Sequence, residues 1–340
     1  LAKPVSGVLL EAAVLSILPK NLVNLSEEAS LSEIGKDILI FEQAQRKPLI
    51  ITTDSVCDLP ASLKKEFGIA VCPYYIYTDR GRFLDDIELK SDELLVYIAE
   101  GRNGYSEAPE VEDYERFFAE RLGEAQNVIH ITMAKHASQG YFNALEAAKS
   151  FENVTVLDSG HLSSSMGLIV LHAASMVENH ASKDEIVKAV KGLQKFVSSA
   201  FIIDNTHMMC QAGHISKQTK TICDALFLHP ILSLRKSKMV VSGVGVGDFS
   251  RMAKDYVRRV FQDVRGIDRR ILFITYAGMD EQRLRYIQNL VRQYCSFEKI
   301  YLQKASPAIA GNCGPGAFGL LFMRKNEFSN SFSDFSKMEL

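Results

Sequence analysis

The run Ile50-Ile51-Thr52-Thr53-Asp54-Ser55-Val56-Cys57-Asp58-Leu59-Pro60 constrains the fold more than any other stretch of this chain. Its β-branched residues favour an extended strand, and the polarity then changes abruptly to a carboxylate and a hydroxyl. Pro60 restarts the chain, because its fixed φ suits the entry to a helix. A buried parallel strand delivers polar side chains to its carboxyl edge in this way, and open α/β sheets bind their ligands at that edge.

The rest of the sequence alternates in the manner such a sheet requires. Strands are predicted at 49–53, 69–76, 128–133, 154–158, 200–204, 271–276, 299–303 and 318–323. Between them, Tyr114, Phe117, Phe118 and Leu122 share one helix face, as do Leu284, Ile287, Val291 and Tyr294. Phe249, Met252, Ala253, Tyr256, Val257, Val260, Phe261 and Val264 form a longer stripe, opposite Arg251, Lys254, Arg258 and Arg259. Alternation of this kind predicts an α/β architecture with mainly parallel sheets. A chain of 340 residues has room for two such units, expected at 47–199 and 200–328 after a helix over 183–196. Residues 329–340 read as an aperiodic tail.

Residues 1–46 read as a separate extension. Leu10, Ala13, Val14, Ile17 and Leu18 recur at helical spacing until Pro19. The chain opens on Leu1 instead of Met, so sequence upstream is expected. The string Leu1-Ala2-Lys3-Pro4-Val5 with this helix resembles the closing strand-to-helix passage of a two-component receiver domain, in which Lys3 would be the lysine beside the phosphorylated aspartate. The acidic residues and phospho-acceptor strand of that family are absent. An amphipathic docking helix plus linker is the plainer alternative.

Composition excludes several functions. A net charge of −2 argues against a nucleic-acid-coating surface or a polybasic membrane anchor. No apolar run approaches the ~20 residues of a membrane span. The six cysteines lack zinc or disulfide-framework spacing and read as reduced thiols of a cytoplasmic protein.

The candidate site residues lie in loops after strands. Thr53, Asp54 and Ser55 close the first strand, although Asp and Ser also cap helices and close turns. Asp58 reads as a turn or cap residue, and Ser62 with Glu66 offers capping chemistry nearby. Ser106 stands in Gly104-Tyr105-Ser106-Glu107-Ala108-Pro109, ahead of the helix carrying Tyr114. Ser138 stands in Ala137-Ser138-Gln139-Gly140-Tyr141, where it can cap a helix over 141–149; helix N-termini also attract carboxylates. Asp158-Ser159 with Ser165 and Gly167 reads as architectural, Gly167 permitting close helix–sheet packing. Gly314-Pro315-Gly316, after Asn312, fixes a sharp turn.

Taken in order, these segments resemble the motifs of the DegV family of bacterial fatty-acid-binding proteins. The opening run matches T-D-S-x-x-D-L-P. With Pro109 aligned to the proline of T-S-Q-P, Ser106 falls on that family's ligand-contacting threonine and Glu107 on its serine; a shift by one pairs Ser106 with the serine. Ser138 and Tyr141 match L-S-G-T-Y, whose serine contacts the fatty-acid carboxylate, while Gly-Thr has become Gln139-Gly140. Asp158, Ser159, Ser165 and Gly167 match D-S-x(5)-S-x-G. Gln211-Ala212-Gly213-His214-Ile215-Ser216 resembles a G-G-R-I turn, with His214 for arginine. Asn312 replaces the histidine of H-x-G-P-G-A and can donate a hydrogen bond but carries no charge. The resemblance spans residues 49–323.

The resemblance implies a two-domain α/β fold, each domain a mainly parallel sheet with flanking helices, and one long-chain fatty acid of palmitate, stearate or oleate type between them. Its carboxylate would be bonded by Ser106, Ser138 and Asn312 beside Thr53, Asp54 and Ser55, its tail inside the first domain. Burying a 16-carbon chain gains on the order of 11 kcal/mol before binding costs, while each hydrogen bond to the carboxylate adds ~1.5–3 kcal/mol. The tail would dominate affinity and the hydroxyls would set orientation. The implied role is a carrier, without catalytic residues, metal or cofactor, that presents the carboxylate to a fatty-acid kinase and contacts membranes transiently. The basic residues of that family's second domain are replaced here by Gly243-Val244-Gly245-Val246-Gly247-Asp248, which weakens the expectation of a kinase. No Walker A string or HExxH motif is present. The competing reading is a hydrolase or phosphotransferase using Asp54 or Asp58 with His136 or His214. A lipid-sensing output domain under receiver control is a third.

Overall fold

In the computed structural model, the described residues are 46–211, 215–235 and 237–328. Lys3, the helix over 10–18, Ala212 to His214 and the tail 329–340 lie outside them. The chain divides between Arg46 and Lys47 into two compact units, and the elements below belong to the second.

The first sheet is parallel throughout, in the order β2-β1-β6-β7, with β1 at Ile50–Asp54, β2 at Ala70–Cys72, β6 at Val128–Thr132 and β7 at Val154–Asp158. Every residue of β1 and β6 is buried, as a strand covered on both faces requires. Helix α1 (Ala61–Glu66) follows Pro60 directly, so Ser62 lies inside its first turn and caps nothing. The predicted strand 69–76 is instead two strands, because Pro73 lacks the N–H that a continuous ladder needs. Its second half, β3 (Tyr75–Thr78), leaves for a small antiparallel sheet with β4 (Gly81–Leu84) and β5 (Gly104–Glu107). Helices α2 (Ser91–Ala99), α3 (Val111–Glu124) and α4 (Gly140–Ala147) complete this part of the chain.

Helix α5 (Ser163–Glu178) is the centre of this unit. It carries no charge before Glu178, and Ser163 through Met176 are all buried. A helix apolar on every side needs neighbours on every side. One side packs on β1, and the other meets β8, β11 and β13 of the second sheet. Gly167 allows the first contact: a Cβ there would lie 2.6 Å from the Cys57 carbonyl oxygen. Helix α6 (Lys183–Leu193) packs against it, with Ser182 and Glu185 forming a capping box.

The second sheet has the order β10-β9-β8-β13-β11-β12, with β8 at Val197–Ile202, β9 at Leu228–Arg235, β10 at Lys238–Val246, β11 at Ile267–Tyr276, β12 at Lys299–Lys304 and β13 at Phe318–Arg324. The expectation of a mainly parallel sheet fails here. Only the β11–β12 pair is parallel, and the four other pairings are antiparallel. One of these is a hairpin: β9 and β10 are joined with no intervening helix, which forces antiparallel pairing. Both strands escaped the sequence reading, β9 because it contains Pro230 and β10 because Gly243 and Gly245 interrupt its pattern. A division at 199/200 would cut β8, so the change of sheet falls just before Val197. Helices α7 (His207–Gln211), α8 (Lys217–Ala225), α9 (Phe249–Val260), α10 (Glu281–Tyr294) and α11 (Pro307–Cys313) follow in order. The buried residues of α9 and α10 form one core with β11 and β13, as their stripes predict.

Candidate functional site

Sheet order places the site. The chain leaves β1 on one side to make β2 and comes back on the other to make β6. The carboxyl ends of β1 and β6 therefore flank a topological switch point, where sheets of this kind take up ligands. One end is Asp54-Ser55; the other leads through Met133 to Ser138.

Asp54 is fully buried and fully occupied. Its Oδ1 accepts hydrogen bonds from the Tyr114 hydroxyl (2.8 Å) and from His130 Nε2 (3.2 Å), and its Oδ2 accepts from the Met133 N–H (3.1 Å). With Nε2–H directed at the carboxylate, His130 Nδ1 accepts from the Thr52 hydroxyl 2.9 Å away. Thr53 donates to the Ile131 carbonyl at 2.9 Å and is also fully buried. Ser55 donates to Asp85 Oδ2 (2.5 Å) and accepts from the Tyr74 N–H (3.0 Å). This corner of the site is a closed polar network holding β1, β6, α3 and the Tyr74 backbone together.

The two serines are placed differently. Ser138 is half-buried; its Oγ accepts from the Gly140 N–H (3.1 Å) and lies 2.9 Å from the Tyr74 hydroxyl. The bond from the Gly140 N–H caps the start of α4, as expected, because Gly140 opens the helix and Gln139, already at helical φ and ψ, offers no side-chain bond. Ser106 is half-buried on β5, directly across from the fully buried Ile76, so its side chain takes the inward face. Among the described residues its hydroxyl has no hydrogen-bond partner. The two loops are tied together by Asn143, whose side-chain N–H donates to the Pro109 carbonyl at 2.8 Å. Asn312 lies on a helix that packs on β5. It is exposed at the end of α11, and its side-chain N–H donates to the Ala308 carbonyl of its own helix. Gly311 beside it packs on Leu94 and Ile98, the pair that Gly104 of β5 also meets.

Two buried acids that the sequence reading left out of the binding set join the first sheet to α11. Asp58, at φ 44°, accepts from the Ser163 hydroxyl (2.6 Å) and from the Ser306 N–H (2.8 Å). Asp85 accepts from Ser55 and from the Ala308 N–H (2.9 Å). Burial raises Asp58 to about 7 and Asp85 to about 6, against the opposing pull of these donors. Ser164 adds a bond to the Asp58 carbonyl and lies 2.6 Å from the Thr275 hydroxyl. Spacing could not reveal these contacts, because Asp58 and Ser306 are 248 residues apart. His130 had a fainter signal: a polar residue inside an apolar strand, in register with Thr52.

The motif residues outside the switch point are structural in their contacts. Asp158 Oδ1 accepts from the Gly160 N–H (2.8 Å), and Ser165 bonds the Leu162 carbonyl. Gly316, at φ 82°, leaves no room for a side chain, since a Cβ would lie 2.4 Å from Asp204 Oδ2; Gly314, at φ 78°, and Pro315 complete that turn. A cavity of about 20 Å³ lies at the seam between Ser163, Thr275 and Cys313, and a cleft of about 570 Å³ opens between β10 and α9. None of the predicted binding residues lines either. Among the described residues no helix is long and apolar enough to cross a membrane.

A parallel α/β sheet with hydroxyls at its switch point, joined through a buried helix to a second mixed sheet, defines the class. Residues 48–325 match the family model described as an uncharacterised protein, DegV family, and the chain belongs to that family. A DegV domain-containing protein of Caldanaerobacter subterraneus subsp. tengcongensis is 26% identical over 282 residues, 82% of this chain and 99% of that protein. A Thermus thermophilus DegV family protein, described as binding fatty acid, superposes with a TM-score of 0.74 at 24% identity, over 82% of this chain and all of that one. The Streptococcus pneumoniae fatty acid kinase B3 protein, solved with linoleic acid, gives 0.69 at 17% identity over the same shares.

Proposed function

We propose that this chain binds one long-chain fatty acid, with its carboxylate at the switch point beside Ser106 and Ser138 and its acyl chain in the core of the first sheet. One observation carries the reading. Asp54 and Thr53 of the β1 corner are saturated by the protein itself, whereas among the described residues Ser106 has no partner for a hydroxyl on an inward face, and the helix after Ser138 is tied to the segment after Ser106 by the Asn143–Pro109 bond. Two uncharged donors suit a carboxylate whose affinity comes from the tail. The tail enters by displacing flexible core side chains such as Met133 and Met166. The fatty acids named for the solved relatives support the ligand class. The kinase B3 relative supports a carrier role, in which this chain holds the acid of palmitate, stearate or oleate type and a separate kinase acts on its carboxylate in the cytoplasm.

Among the described residues, which exclude His214, the hydrolase alternative finds no support in the geometry. Asp54 is sealed against His130 instead of pairing with His136, which is exposed on a loop. Asp58 is committed to Ser163 and Ser306. The test is native mass spectrometry of protein purified from bacteria. The expected spectrum shows one fatty acid per chain; protein that stays empty after incubation with palmitate and oleate would refute the reading.

A further inference from the structure

We infer that Tyr74 aims the Ser138 hydroxyl at the ligand, and that Gly140 is the residue that admits the Tyr74 phenol to that position. This rests on the fatty-acid reading above and adds to it a specificity-determining residue outside the family-like motifs.

The argument is one of lone pairs. A serine oxygen accepts two hydrogen bonds and donates one. Ser138 Oγ already accepts from the Gly140 N–H, and the Tyr74 hydroxyl sits 2.9 Å from it. When Tyr74 donates, both acceptor positions are filled and the serine proton has to point elsewhere. A carboxylate at the switch point is the acceptor that takes it. With the opposite direction, Ser138 would turn its one remaining lone pair, and no proton, toward an incoming carboxylate.

Tyr74 is the better donor of the pair, because a phenol O–H is more acidic than the aliphatic O–H of serine. Tyr74 is 2% exposed, and burial, with the Asp54 charge behind it, keeps the phenol protonated. Its backbone is fixed at both ends, the N–H donating to Ser55 and the carbonyl accepting from the Asp85 N–H. Ser55 of the β1 corner thus acts on Ser138 through Tyr74. Gly140 supplies the space: a Cβ there would lie 2.5 Å from the Tyr74 oxygen and 3.1 Å from that of Tyr114. Where the resembling motif has Gly-Thr, this chain has Gln139-Gly140, and a phenol hydroxyl fills the place the missing side chain leaves open.

The experiment measures the affinity of delipidated protein for palmitate and for hexadecanol. Wild type should prefer palmitate. Tyr74→Phe should weaken palmitate about tenfold more than hexadecanol, in line with one hydrogen bond to a charged group. Adding Ser138→Ala to Tyr74→Phe should cost no more than Ser138→Ala alone, because both remove the same donor. Gly140→Ala, which displaces the phenol, should show the same acid-selective loss and have little effect in the Tyr74→Phe background; it carries the test if Tyr74→Phe does not fold. Equal losses for acid and alcohol, or additive effects with Ser138→Ala, would overturn this inference and leave the fatty-acid reading standing. A wild-type protein that binds neither ligand would overturn both.

Discussion

The end of β1 and the two serines proposed to bind the ligand carry polar groups in opposite states. Thr53, Asp54 and Ser55 spend all their hydrogen bonds inside the protein, on Ile131, Tyr114, His130, Met133, Asp85 and Tyr74. Ser106 and Ser138 are half-buried, the first with no hydrogen-bond partner for its hydroxyl among the described residues and the second bonded only by the Gly140 N–H and the Tyr74 hydroxyl. A buried polar group that is satisfied stabilises one arrangement, whereas an accessible unsatisfied one is available to a ligand. The segment that identifies the fold most clearly is thus a scaffold, and the proposed binding role rests on less distinctive residues.

Substitutions should separate the two regions, the scaffold giving the largest effects. Asp54→Ala strands His130, the Tyr114 hydroxyl and the Met133 N–H without their acceptor and should cost about 3–5 kcal/mol in urea unfolding. A loss below about 1 kcal/mol would mean the network is not structural. Gly167→Ala should cost about 1–3 kcal/mol, since its Cβ meets the Cys57 backbone oxygen, which yields less readily than a side chain.

The acids at the α11 seam give a pH test. Asp58 at about 7 and Asp85 at about 6 both lie above the ordinary 3.8, so between about pH 4 and 7 the folded chain holds protons that the unfolded chain has released. Their contribution is full below about pH 4 and is lost as pH rises through 6 and 7. His172, lowered by burial to about 4, works in the other direction and loses its share as pH falls from 6.5 towards 4. The difference between wild type and Asp58→Asn isolates one group. The variant should lose roughly 1–3 kcal/mol less than wild type between pH 5 and 8. Parallel curves would show that Asp58 titrates normally. The smallest stability effect belongs to Ser106→Ala, expected within ~0.5 kcal/mol because no side-chain bond is broken.

How much was legible in the sequence follows from how local each signal is. β1, β6, β7, α9 and α10 announce themselves because one strand or one helix face states its own burial. β9 and β10 did not, because Pro230, Gly243 and Gly245 are tolerated only through pairing with each other and with β8. At the proposed site, Ser106 and Ser138 were singled out through motif order. Tyr74, His130 and Asp85 were not, since their roles depend on partners 19 to 223 residues away. Asn312 was expected at the carboxylate by position in a motif; its side chain bonds the Ala308 carbonyl of its own helix.

The division of labour between the two regions is tested most directly by comparing palmitate and hexadecanol affinities in Ser106→Ala/Ser138→Ala protein. The serines should account for the preference for the acid, so the double variant should bind both ligands about equally while unfolding close to wild type. A double variant that keeps its preference for palmitate, or that loses acid and alcohol binding to the same degree, would contradict the assignment.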